Sequence, residues 1–294
     1  MPFPSLRHTT KAASNNISLL RRYISTHELS HNWYKPKTQT HVAPIVILHG
    51  LFGSKQNWRS LSKSLSNRLG TDVIPVDLRN HGESFHHPVH DYPAMAADLN
   101  EFLRSHQLDN VNLIGHSMGG KVAMHYALSH PERLDHLIVV DMSPTNRNLT
   151  SEFGSYIKAM HQVEKANVKN QSEADKILAE SINSLPIRQF ILTNLKKAPG
   201  ESIMKFRINL QALEQSLEKL WEFPYEGTGK TYDGPALFIA GARAGYITQS
   251  THPVIKTYFP NAEITSLDTG HWVHSEKPDD FVSLVTSFLT TGQH

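Results

Sequence analysis

The sequence predicts an α/β fold with a mainly parallel sheet, and three observations carry that prediction. From residue 44 onward short apolar runs alternate with longer stretches of helical periodicity, as βα units do. The runs at 45–48, 73–76, 111–114, 136–140, 236–240 and 262–267 each end near a residue of chemical interest, as expected where a site gathers at the carboxyl ends of parallel strands. Between Arg147 and about Tyr232 the alternation lapses, and charged and apolar residues recur at helical spacing, for example over 172–182 and 208–220. A helical insertion at about 148–230, placed over the site as a lid, is the expectation there.

Composition sets the outer bounds. A chain of 294 residues supports one large core plus an insertion, because cores stop growing near ~250–300 residues. With 39% hydrophobic and 19% charged residues, and no run approaching the ~18 apolar residues of a membrane span, a soluble globular protein is expected. The net charge of +2 comes without a basic run or stripe, so nucleic acid is not an expected partner. Cysteine is absent, which excludes disulfides, thiolate nucleophiles and cysteine metal sites. Any covalent catalysis must use another side chain.

The first residues read as an address. Arg7, Lys11, Arg21 and Arg22 precede any acid, the first being Glu28, and Ala13, Ile17, Leu20 and Ile24 recur at helical spacing. Such a basic amphipathic stretch predicts a mitochondrial targeting segment over residues 1–26 and a mitochondrial location.

The nucleophile is the sharpest signal. Gly115-His116-Ser117-Met118-Gly119-Gly120 follows an apolar run and precedes a helix-forming one, which is G-x-S-x-G in its strand–turn–helix setting. The turn is tight, so glycines must flank a serine held in a sparsely allowed backbone region. Acyl transfer also needs backbone N–H donors for the developing oxyanion. Met118, next after the serine, should give one; the loop His49-Gly50-Leu51-Phe52-Gly53-Ser54 should give the other, from Leu51 or alternatively Phe52.

Serine needs a base, and among 19 histidines position singles out His271, after the last predicted strand and before a terminal helical run. His274 is a minor competitor. The segment after 236–240 holds no carboxylate, and Asp141, at the end of the preceding strand, is assigned as the acid that orients His271. Asp233 lies at the wrong strand end, and Asp268 reads as a turn residue. The segment 77–84 reads as a structural turn that ties loops together. The histidines at 86, 87 and 90 read as a solvated loop, and no metal site is expected.

The three motifs, 49–54, 77–82 and 115–121, together resemble a subgroup of α/β-hydrolases that contains small bacterial esterases, a mitochondrial hydrolase and the yeast ethanol acetyltransferases. The resemblance covers about residues 41–147 and 231–294. It implies an α/β-hydrolase domain over 27–294, an eight-stranded sheet, a cap after the sixth strand, and an acid at that strand's end. It also implies acetyl transfer from acetyl-CoA, as co-substrate, to an alcohol such as ethanol, with esterase and thioesterase side activity and no resident cofactor. A carboxylesterase or thioesterase acting on small acyl esters is the alternative, and a non-enzymatic ligand-binding protein on this fold is a third reading.

Overall fold

A computed structural model describes residues 28–146 and 150–291, so the expected targeting segment lies outside the described residues. Eight strands run in chain order: β1 (Ile45–Leu48), β2 (Val73–Val76), β3 (Val111–His116), β4 (Leu134–Val140), β5 (Leu195–Lys197), β6 (Met204–Phe206), β7 (Ala236–Gly241) and β8 (Ala262–Leu267). Six of them form one parallel sheet in the order β2-β1-β3-β4-β7-β8, while β5 and β6 pair only with each other, antiparallel.

The sheet is therefore six-stranded among the described residues, not eight-stranded. Where further strands were expected, the segment around His31 and Tyr34 lies antiparallel along β2 and makes only isolated bridges to Val76 and Val73. The reason is local. Asn32 N–H donates to the Pro75 carbonyl, but proline has no N–H to return, so the ladder is interrupted between its two ends.

Alternation along the strands sorts the core into two layers. Val46, Leu48, Leu137, Val139 and Phe238 face one helical layer. Ile45, Ile47, Ile138, Val140 and Ile239 face the other. Helices α1 (Arg59–Leu69), α2 (Tyr92–Ser105) and α3 (Met118–Ser129) follow the first three strands. Asp91 caps α2 by accepting from Ala94 N–H at 3.0 Å, and Gly70, at φ 64°, ends α1 in the left-handed conformation that a glycine adopts without strain.

Between β4 and β7 lies the insertion: α4 (Thr150–Lys165), α5 (Gln171–Ala179), α6 (Leu185–Leu192), the β5–β6 hairpin and α7 (Leu210–Ser216). Its buried Ile157, Met160, Leu178, Ile191 and Leu213 join the core layer beneath. The hairpin was not foreseen, because Lys196, Lys197 and Lys205 leave it no apolar run; only Leu195 and Phe206 are buried. The chain closes with α8 (His252–Tyr258), α9 (Val273–Glu276) and α10 (Pro278–Thr290). Among the described residues no helix is long and apolar enough to cross a membrane.

Candidate active site

Ser117 stands between β3 and α3 with φ 52° and ψ −118°, a conformation that costs a non-glycine residue about 1–3 kcal/mol. The flanking glycines are forced by contact. A Cβ on Gly115 would lie 2.2 Å from the Gly119 carbonyl oxygen, and one on Gly119 would lie 2.5 Å from that of Leu48. The chain thus turns sharply enough to lift the serine above the sheet edge.

Three expected residues come together there. Ser117 Oγ lies 2.9 Å from His271 Nε2, and His271 Nδ1 lies 2.7 Å from Asp141 Oδ2. Asp141 is fully buried, and a carboxylate only accepts, so His271 carries its ring proton on Nδ1 and its Nε2 lone pair faces the serine. The other carboxylate oxygen accepts from Gly241 N–H at 2.9 Å. The strand end that lacks an acid therefore helps hold the acid of its neighbour. Tyr246, from the same carboxylate-free segment, stacks on the His271 ring at 4.2 Å. His116 Nε2 donates to the His271 carbonyl at 2.9 Å, fixing the loop from below.

The loop at 49–54 lies flush against the serine, since a Cβ on Gly50 would be 3.1 Å from Ser117 Cβ. Among the described residues the N–H groups of Leu51 and Met118 have no hydrogen-bond partner. Phe52 N–H instead donates to His81 Nε2 at 3.2 Å, which removes the alternative donor. His49 and His81 hold this loop as a pair. Nε2 of His49 accepts from Leu78 N–H at 3.0 Å, and its Nδ1 donates to the Gly50 carbonyl at 2.8 Å. His81 Nδ1 donates to the Arg79 carbonyl at 3.0 Å. Burial pulls both imidazoles below their usual range, His81 well below it.

The 77–84 turn does tie loops together. Asp77 accepts from Lys55 N–H and Lys55 Nζ, both at 2.6 Å, and from Glu83 N–H at 2.9 Å. His90 departs from the expected solvated loop: it is 1% exposed, packs beside His81, and is pulled down to about 3 by burial. His274 also turns inward, stacked on Trp58 at 4.1 Å and held down at about 3 by burial. Asp268 sits in an exposed ion pair with Arg243.

Above the serine opens a cavity of about 310 Å³. Its floor is Gly50, Leu51, Ser117 and His271; its roof is Phe153 and Tyr156 of α4 and Ile187, Phe190 and Ile191 of α6, and Glu152, which accepts from the Tyr156 hydroxyl, is the carboxylate among its described lining residues. Polar ties from buried side chains help to hold the insertion down, among them those of Asn194 and Lys121. Asn194 Nδ2 donates to the Phe52 carbonyl at 2.7 Å, and Lys121 Nζ donates to the carbonyls of Trp221 and Glu222 at 2.9 and 3.2 Å. Burial brings the Lys121 ammonium down to about 7. Sequence reasoning missed Tyr246, Asn194 and the roof residues; the motif at 49–54 already contained His49, but not its partner.

A model of the alpha/beta hydrolase fold matches residues 43–278. The chain belongs to the alpha/beta hydrolase family. This alpha/beta hydrolase is 44% identical over 250 residues to the sn-1-specific diacylglycerol lipase ABHD11 of Mus musculus, covering 83% of this chain and 80% of that protein. It is 38% identical over 264 residues to a Saccharomyces cerevisiae protein named as a probable alcohol acetyltransferase, covering 84% and 77%. Among solved structures it is similar to a marine microorganism esterase, with TM-score 0.82 and 32% identity, over 89% of this chain and 99% of that one. It is an enzyme of the hydrolase or acyltransferase kind.

Proposed function

We propose that this hydrolase carries out serine-dependent acyl transfer on esters with an apolar acyl chain, with Ser117 as nucleophile, His271 as base and Asp141 as orienting acid. The observation that carries the reading is the hydrogen-bonded row Ser117–His271–Asp141 at the floor of an apolar, cap-covered cavity. Ser117 Oγ attacks the acyl carbonyl while His271 Nε2 takes its proton, and the oxyanion is met by the N–H groups of Leu51 and Met118. His271 then protonates the departing alcohol or thiol, leaving the acyl group on Ser117. Water or an alcohol attacks next, giving its proton to His271, which passes it to Ser117 Oγ as the acyl–serine bond breaks, so serine and histidine are restored.

An aromatic and aliphatic roof suits an acyl chain better than a polar acid, and the relatives named as diacylglycerol lipases favour a glycerolipid ester as donor. The second reading is acetate-ester formation from acetyl-CoA and an alcohol such as ethanol. Tyr246 stacked on His271, and Phe190 beside Trp272 at 5.7 Å, favour it by limiting the water around the acyl-enzyme. A mitochondrial location follows from the basic segment 1–26 and belongs to the same proposal.

The test is turnover by the wild type and Ser117→Ala of p-nitrophenyl esters of increasing chain length, of diacylglycerol, and of acetyl-CoA with and without ethanol. Loss of about 10³-fold or more in the variant is expected, with the longer ester preferred. Ethyl acetate formed by the wild type alone would select the acetyltransferase reading. Turnover that survives Ser117→Ala would overturn both.

A further inference from the structure

A cluster of potential metal ligands lies at the opening of the described chain. Glu28, His31 and His106 each offer a ligand atom, and all three atoms lie within 4.8 Å of one another. Glu28 and His31 precede the sheet, whereas His106 follows the last residue of α2; the two parts of the chain meet only through folding.

The tautomers are what make the cluster informative. His106 Nδ1 lies 2.9 Å from the Phe102 carbonyl, and His31 Nδ1 lies 3.2 Å from the Leu29 carbonyl. A carbonyl oxygen only accepts, so each ring carries a proton on Nδ1 and the neutral form has its lone pair on Nε2. His106 Nε2 then faces Glu28 Oε1 at 3.4 Å. A ring nitrogen lone pair and a carboxylate oxygen facing each other at that distance are two acceptors that one cation can bridge. Backbone carbonyls that fix Nδ1–H are also the outer partners that metal-bound histidines use.

We propose that Glu28, His31 and His106 form a binding site for a divalent transition ion of the zinc class. Zinc bonds of about 2.0–2.1 Å place tetrahedral donors about 3.4 Å apart, the separation already present between His106 and Glu28. Two imidazoles and one carboxylate suit zinc, whereas calcium and magnesium take oxygen ligands. The rings are oriented before any ion arrives: Phe102 packs on His106 at 4.4 Å and on His31 at 5.1 Å. Glu28 is exposed and leaves the ion a way in. Bound there, the ion clips the segment that runs along β2 to the end of α2, and it stabilises the folded chain because the unfolded chain has no such site.

The experiment titrates chelator-stripped full-length protein with zinc chloride at pH 7.5 by calorimetry, with a melting curve at each end. The wild type should bind one saturating zinc and melt higher with it. Glu28→Gln, an exposed change that leaves packing untouched, should weaken binding at least about tenfold, since loss of a mere outer partner already costs 10–100-fold. His106→Ala should abolish it. Cobalt should show the same stoichiometry and quench Trp33, whose ring lies 6.1 Å from His31 and 5.9 Å from His106. Ester turnover should be unchanged in Glu28→Gln, which keeps this result separate from the reading of Ser117. Absence of a one-to-one site, or zinc binding equal in wild type and both variants, would overturn the proposal.

Discussion

The floor and the roof of the cavity are built by different means. The floor is dictated by backbone: among the described residues, four of the six non-glycine residues with positive φ are Phe52, Asn80, Ser117 and Asp141, all in the loops at the sheet edge. Its side chains, His49, His81, His116 and Asp141, are buried and bonded to main-chain N–H or carbonyl groups. The roof is dictated by side chains, helices α4 and α6 presenting Phe153, Tyr156, Ile187 and Phe190 over the serine. The contrast teaches where tolerance lies: a floor that positions reacting atoms cannot yield by tenths of an ångström, whereas a roof that only offers apolar area can be recut.

The sharpest way to break the comparison is Gly119→Ala. The added methyl meets carbonyl oxygens of both Leu48 and His49, at 2.5 and 2.6 Å, and neither is the end of a flexible side chain. Overpacking of this kind costs about 1–3 kcal/mol or more, and displacement of the elbow should lower ester turnover by at least about 100-fold. A thermal melt beside the kinetics separates the two effects. A variant with native turnover would show that the floor is as pliant as the roof.

Acid should sharpen it next. Among the described residues, burial lowers seven histidines: His49, His81, His90, His116, His125, His136 and His274. In the unfolded chain these protonate near pH 6.5, while in the folded chain they resist, so the unfolded state binds more protons between the two values. The histidine contribution to stability is therefore full above about pH 7 and falls as the pH drops from about 6.5 towards the folded values, which reach about 3 at His90 and His274. Each of the buried ones, His49, His81, His90, His116 and His274, contributes up to about 1.4 kcal/mol per pH unit within its window, and the partly exposed His125 and His136 contribute less because solvent screens them. The insertion holds only His161, half-exposed beside Glu214 at 3.4 Å, so acid should loosen the floor before the roof. Urea midpoints at pH 7.5, 6 and 5, with hydrogen exchange resolved by region, would check this; equal midpoints at all three would contradict it.

The smallest effect is expected at the roof. Phe190→Ala removes an apolar wall without touching the serine, histidine or acid. About tenfold lower kcat/KM on a long-chain p-nitrophenyl ester, with little change on the acetate, is the expected outcome. Equal losses on both esters would mean that Phe190 supports the floor through Trp272 instead of selecting the acyl chain.

Much of the floor was legible because its constraints are local. The glycines at 115 and 119 answer to a turn a few residues long, and the empty segment after β7 pointed to Asp141 by elimination. Other parts were not legible. The pairing of His81 with Phe52, and the tie from Asn194 to the same residue, join positions far apart in the chain, and nothing in either neighbourhood marks the partner. His90 reads as solvated beside His86 and His87, yet it is the one that folds inward.

By itself the sequence determined the α/β order of elements and the site of the tight elbow, and it pointed to Ser117, Asp141 and His271 beside strand ends, since periodicity, glycine placement and strand ends are short-range properties. Only the tertiary structure decided that the sheet has six strands among the described residues, that the roof is largely apolar, which N–H groups of the 49–54 loop stay free, and that Glu28, His31 and His106 converge. Each of these depends on which distant segments pack together, a matter of shape and burial summed over the whole chain.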